Sequence, residues 1–299
     1  RLTGATALAL SSLILAVPAM AQDSAVNVEV RDEGEEPRVE LRYDWAEGLS
    51  GTTVLESDTL ITTLQGGRPV AEEQTLLTRT VTRTVTEVDE NGTARVEFSV
   101  EAPERSGPDL PAGDAAPGEG VETLSAALSE LSSYSGWMEL DPRGVLLDYG
   151  VDGIDEVTAA LLVETRGLGG EVTVLPEEAV RVGAEWETYT EVYESRMDYE
   201  SEAVTRLVAV DGSTLSLETE TYVLQQPNLG LERLATSAGA IYMTQELEGT
   251  ASTELALDGL VQAGSGEALL SIITGTSAGG YGTELQTIYE MALTSSAGE

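Results

Sequence analysis

Thr80-Val-Thr-Arg-Thr-Val-Thr-Glu-Val88, Asp89-Glu-Asn-Gly92 and Thr93-Ala-Arg-Val-Glu-Phe-Ser-Val-Glu101 form one unbroken stretch, and its reading decides the fold. Ala94, Val96, Phe98 and Val100 alternate with Arg95, Glu97 and Ser99. Upstream, Val81 and Val85 share a side with Arg79 and Arg83, while Thr78, Thr80, Thr82, Thr84 and Thr86 occupy the other. A period of two is the signature of a half-buried strand. Asn91-Gly92 between the runs supplies residues that tolerate positive φ, so the stretch reads as a β-hairpin.

The same grammar recurs outward from that hairpin. Val39, Leu41, Tyr43 and Trp45 alternate with Glu40, Arg42 and Asp44 and read as a strand. Asp211-Gly212 joins Ala203–Val210 to Thr214–Val223, and Asp141-Pro-Arg-Gly144 joins Trp137–Leu140 to Val145–Tyr149. Ile241–Leu247 and Thr283–Leu293 alternate as well, in a Gly-, Ala-, Ser- and Thr-rich tail whose small residues suit a bent sheet. Two segments depart from this. Val121, Leu124, Leu128 and Leu131 take helical spacing within Gly120–Tyr134. Ile154, Val157 and Leu161 do so within Ile154–Thr165, with Asp152 as its cap. Ala102–Gly120, rich in Pro, Gly and Ala, reads as a flexible linker. The expectation is a mainly β (α+β) fold: a large, curved, half-barrel-like antiparallel sheet with two short helices packed on it.

Composition bounds the chemistry. The chain has 15 Arg, no Lys, no His and no Cys, against 53 carboxylates, for a net charge of −38. A Ser-His-Asp triad, a thiolate nucleophile, a Schiff-base lysine and His or Cys metal ligands are all excluded. With no basic stripe, nucleic acid is disfavoured as a partner. The carboxylates are spread along the chain, as a salt-adapted, hydrated surface would spread them. Aromatics are 5% of residues with one Phe, so the core must come from Val, Leu, Ile and Ala.

Arg1, the apolar run Leu8–Val17 and Ala19-Met-Ala21 have the layout of a secretory signal cleaved before Gln22. That run is shorter than the ~20 residues of a membrane span. The expected organisation is therefore a signal peptide over residues 1–21 and one β-rich domain over 22–299. The expected location is bacterial, secreted, and periplasmic or extracellular. The mature chain is expected to carry no transmembrane segment, no lipid anchor and no disulfide.

Candidate sites are few. Asp148, Asp152, Asp155 and Glu156 gather around the second predicted helix, and Glu185, Glu187 and Glu191 lie along one strand face. Paired carboxylates can run glycoside hydrolysis, but 53 acids bring some pair together in any fold. The first cluster also lacks the alternating ligand spacing of a calcium loop, and capping by Asp152 explains it. No catalytic residue, metal ligand or cofactor is assigned. The threonine row reads as a solvated strand face rather than an ice-ordering array, because one strand alone carries it.

Three segments resemble an uncharacterised family of bacterial secreted proteins and lipoproteins: Val39–Gly48, Val85–Gly92 and Leu175-Pro-Glu-Glu-Ala-Val-Arg-Val-Gly-Ala-Glu-Trp186. Family members share a Leu-Pro-x-x-x-Val-x-Val-Gly-x-x-Trp signature and a central Asp-x-x-Gly hairpin, here Asp141 to Gly144. The resemblance implies a curved sheet wrapped around helices, as in periplasmic lipoprotein carriers, and implies no activity. Within the signature, Pro176 is read as ending one strand, Gly183 as allowing a turn and Trp186 as anchoring the next strand.

Three functions follow. The first is a non-enzymatic envelope protein that binds or carries an apolar small molecule, with Trp137, Tyr149 and Trp186 as ligand-lining residues. The second is a structural or interaction protein with a filled core and an envelope protein as partner. The third is a carboxylate-dependent hydrolase.

Overall fold

The computed structural model describes residues 27–34, 36–106, 133–153, 172–193, 197–227, 240–278 and 281–298. The expected signal peptide lies outside them, and so do Asp155, Glu156 and most of the linker. Both predicted helices lie outside as well, except that Tyr134, placed at the end of the first, opens a strand. Among the described residues all long regular structure is strand, so the fold there is all-β rather than α+β.

Among the described residues, thirteen strands build one antiparallel sheet. They are β1 (Asn27–Asp32), β2 (Ser50–Gln65), β3 (Arg68–Val88), β4 (Ala94–Val100), β5 (Glu104–Ser106), β6 (Tyr134–Leu140) and β7 (Leu146–Asp152). Then come β8 (Glu185–Tyr193), β9 (Met197–Asp211), β10 (Thr214–Pro227), β11 (Ala240–Ala256), β12 (Gln262–Ala278) and β13 (Tyr281–Ala297). The spatial order is β1-β8-β9-β10-β11-β12-β13-β2-β3-β4-β6-β7, with β5 on the edge of β3. Two meanders, β2–β7 and β8–β13, are thus stitched together by β13 against β2, from Leu285↔Gln65 to Ala297↔Thr53. The order is linear and the sheet is open, with β1 and β7 at its ends.

Local sequence explains the hairpins. Asp89 and Asp141 each fold a turn by the same device. The Asp89 Oδ1 accepts from the backbone N–H of Asn91 and Thr93, both at 2.8 Å. The Asp141 Oδ1 accepts from Arg143 at 2.9 Å and Val145 at 2.8 Å. Gly92 and Gly144 follow at φ 84°, a region costly for residues with a Cβ. Gly66-Gly67 turns β2 into β3 with both residues at positive φ; the sequence reading passed over this pair.

One sheet face is packed and the other is not. Along β2 and β3, Thr53, Leu55, Ser57, Thr59, Ile61, Thr75, Arg79, Val81, Arg83 and Val85 are all buried. Leu207, Leu215, Leu247, Leu255, Leu270 and Leu293 continue that face across the second meander, in one hydrophobic cluster with Val96, Phe98, Met138 and Trp186. Arg79 and Arg83 therefore lie within the packed face, where Arg83 donates to the Thr53 hydroxyl at 3.2 Å. The threonine row stands half-buried on the other face, with Ser50 to Thr84 at 3.0 Å and Thr52 to Thr82 at 3.3 Å.

Two extended segments close one end of the sheet, and they correct the sequence reading. Leu41–Trp45 does alternate in burial, but Val39, expected on the buried side, is exposed, and the segment joins no ladder beyond the bridge Val39↔Val180. Its backbone partners come singly: Tyr43 donates to Pro142 O at 2.8 Å and Asp44 to Leu257 O at 2.8 Å. A segment lying across strand ends keeps its period of two without a neighbour to run beside. Val172–Leu175 also joins no ladder, but all four of its residues are buried, so Pro176 ends no strand. Leu175 N donates to Arg143 O, and the buried Tyr43 hydroxyl donates to Thr173 O. Gly183, at φ 91°, does make the expected turn into β8. Tyr43 stacks on Trp45 with ring centroids 4.7 Å apart.

Candidate functional site

The open concavity belongs to the face opposite the core. A trough of about 1060 Å³ runs over β9, β10, β11, β12, β13, β2 and β3, and Glu202, Glu220, Glu248, Glu267, Glu290 and Asp58 line it. Towards β8 it adjoins a second concavity of about 760 Å³ that includes Arg31, Glu185, Arg206 and Glu218.

Strand register sets the pattern of charge. One row across the sheet reads Glu202, Tyr222, Glu248, Leu269, Glu290, Leu60, Gln74. The next reads Val204, Glu220, Thr250, Glu267, Ala292, Asp58, Leu76. In both rows every carboxylate has uncharged residues directly opposite. From one row to the other the acids sit on the diagonal, at roughly 7–8 Å between backbone positions, and Glu200, Glu218 and Glu246 stand two places along the strand from Glu202, Glu220 and Glu248. Like charges directly opposite are destabilising, and the checkerboard avoids them while holding six acids on one surface.

The rims are tethered. Arg31 binds Glu187 at 2.7 Å and Glu202 at 3.0 Å. The Glu187 hydrogen bond foremost, with the charges of both acids, holds its guanidinium above the usual range. On the far side Gln74 donates to Asp58 at 2.8 Å. The Tyr222 hydroxyl, raised by desolvation and then by the charge of Glu246, donates to that carboxylate at 3.3 Å. Among the described residues no group of three acids could hold a metal ion.

The residues expected to line a ligand site are placed differently. Trp137 pairs with Gly150 and Met138 with Tyr149, so Trp137 and Tyr149 face opposite sides of the sheet. Arg95 covers Trp137 with Cζ 3.8 Å from the ring centroid. Gly150 makes room for the indole, since a Cβ there would meet Trp137 Nε1 at 2.5 Å. Tyr149 packs against the core cluster. Trp186 is fully buried, and its Nε1 donates to Val174 O at 3.1 Å. The fold thus gives the three no common lining. Asp148 accepts from the Tyr149 N–H at 2.8 Å, and Asp152 is the exposed last residue of β7. Glu187 and Glu185 are engaged by Arg31 and Arg206 respectively. The trough acids themselves escaped the sequence reading. Their local signal, Glu-x-Glu at 218–220 and 246–248, becomes a surface only through pairings such as β13 with β2.

No family model matches this chain, and no curated protein matches it. Among solved structures it is similar to an outer membrane channel from Pseudomonas putida F1, at 8% identity and a TM-score of 0.22, over 85% of this chain and 98% of that one. A likeness at that score carries no argument. Among the described residues no helix is long and apolar enough to cross a membrane, which says nothing of strands.

Proposed function

We propose that this protein is a non-enzymatic, exported protein of the bacterial cell envelope that works through its surface and has a filled core. One observation carries the reading: the apolar face is packed, while the large trough lies on the opposite face among carboxylates. A carrier of apolar molecules needs a mostly apolar pocket with a few polar groups. Here Leu207, Leu215, Leu247, Leu255 and Leu270 are spent on one another and on Trp186. On the packed face, a cavity between Leu55, Leu77, Arg79 and Leu293 measures about 20 Å³, room for about one water and far too little for a lipid-sized ligand. Export rests on the Leu2–Ala21 segment and on the family resemblance of Leu175–Trp186.

The carrier reading makes the opposite forecast, so one measurement separates them. Native mass spectrometry of the protein purified from its source should give the mass of the mature polypeptide without an apolar adduct, and an environment-sensitive apolar dye should stay dark in its presence. A retained lipid-sized adduct, displaced by that dye, would return the carrier reading to first place. Turnover of glycoside or ester substrates that vanishes on replacing one trough carboxylate would establish the hydrolase instead.

A further inference from the structure

Only one of the chain's three asparagines has a hydroxyl residue two places on: Asn91-Gly92-Thr93. Asn27 is followed by Val28-Glu29 and Asn228 by Leu229-Gly230. Asn-x-Thr is the acceptor pattern for N-glycosylation when it lies on the surface of an exported protein. The structure puts this copy at the tip of the β3–β4 hairpin, with Asn91 exposed.

The tip is rigid in its backbone and open in its side chain. Asp89 accepts from the N–H groups of Asn91 and Thr93, and Gly92 N donates to Asp89 O at 3.0 Å. The Asn91 carboxamide makes a long 3.4 Å contact to Asp89 Oδ2. An Asn-Gly pair can also lose ammonia, when the following backbone nitrogen attacks the carboxamide carbon. Here that nitrogen is held by Asp89 O, which disfavours the attack and leaves the carboxamide for other chemistry.

We infer that Asn91 is the attachment site of an N-linked glycan. The donor class is a sugar carried on a lipid pyrophosphate, transferred by a separate membrane enzyme. Asn91 Nδ2 forms a bond to the anomeric carbon, the carbon–oxygen bond to the pyrophosphate breaks, the lipid pyrophosphate leaves, and Nδ2 gives up one proton. No oxidant or reductant is required. The inference rests on the export reading above.

Trypsin releases the tip as one peptide, Thr84–Arg95, because Arg83 and Arg95 bracket it and the chain has no Lys. The protein is purified from its source organism and both this peptide and the N-terminus are read by mass spectrometry. The expected result is an N-terminus at Gln22 and a sugar mass on Asn91, lost completely in Asn91→Gln and Thr93→Ala and retained in Thr93→Ser. A Gln22 N-terminus with a bare peptide, or with Asn91 converted to Asp, overturns the glycan and leaves export standing. An uncleaved chain with a bare peptide overturns both, and a sugar on an uncleaved chain keeps the glycan while removing signal cleavage. All three variants lie at the hairpin tip, where Asn91 is exposed and Thr93 half-buried, and each is checked for the wild-type melting curve.

Discussion

The two faces of this sheet are built from the same strands and obey opposite rules. Along β11, Leu247, Ala251, Thr253 and Leu255 are buried, while Glu246, Glu248 and Thr250 between them are exposed. On the packed face, neighbours are chosen for fit. On the other face they are chosen to keep charges apart, for Glu248 lies between Tyr222 and Leu269, and Leu269 between Glu248 and Glu290. A one-residue slip of any strand would turn its acids into the core. The charge pattern thus contributes to register as well as hydration, and each face can be attacked separately.

The sharpest attack on the packed face is Trp186→Ala. The side chain is fully buried and its Nε1–H satisfies Val174 O, which ties the crossing segment Val172–Leu175 to β8. Deleting it leaves a cavity and an unpaired carbonyl, for a loss of about 3–5 kcal/mol. Denaturant melts should show the midpoint falling with an unchanged slope. A loss below about 1 kcal/mol would mean that the site collapses freely, against the close packing usual in protein interiors.

How far the sequence disclosed these faces depended on the range of the interaction. The Asn91-Gly92, Asp141–Gly144 and Asp211-Gly212 hairpins were readable because an aspartate or a glycine acts within four residues. Trp186 was readable as an anchor because the chain offers so few other large side chains. Val39–Trp45 misled because alternation reports which side is buried, not whether a partner strand exists. Arg79 and Arg83 were legible as sharing the Val81 and Val85 side, but not the depth of their burial, because alternation assigns a side and says nothing of what covers it. The trough was illegible because it needs the registers of seven strands at once, and β2 meets β13 across more than half the chain.

A milder probe of the packed face is alkaline titration. Burial pushes the Tyr289 hydroxyl up to about 12 from its usual 10. Its folded-state value is the higher one, so the neutral form is favoured by folding. That contribution is complete below about pH 10 and is lost as pH rises through 12, by roughly 1–3 kcal/mol. Tyr43, held neutral in the same way by burial, should add to the same decline. Unfolding midpoints measured along this range should fall, and Tyr289→Phe should fall less steeply. Equal slopes for the two proteins would show that Tyr289 ionises without unfolding the face around it.

The smallest effect tests the carboxylate face most directly. Leu269 is 48% exposed in the trough, directly opposite Glu248 on one strand and Glu290 on the other. Leu269→Glu would set three carboxylates in a row, and Leu269→Lys would set a cation between two acids. A like-charge pair directly opposite costs a few tenths to about 1 kcal/mol, and an opposite-charge pair gains a similar amount. The expected order of stability at low ionic strength is therefore Lys above Leu above Glu. Raising salt should draw Lys and Glu together, because exposed charges are screened over about 10 Å at 0.1 M, and should stabilise the parent chain, whose net charge is −38. Lys and Glu variants of equal stability at low salt would show that the spacing of the acids is incidental, and the difference between the two faces would reduce to burial alone.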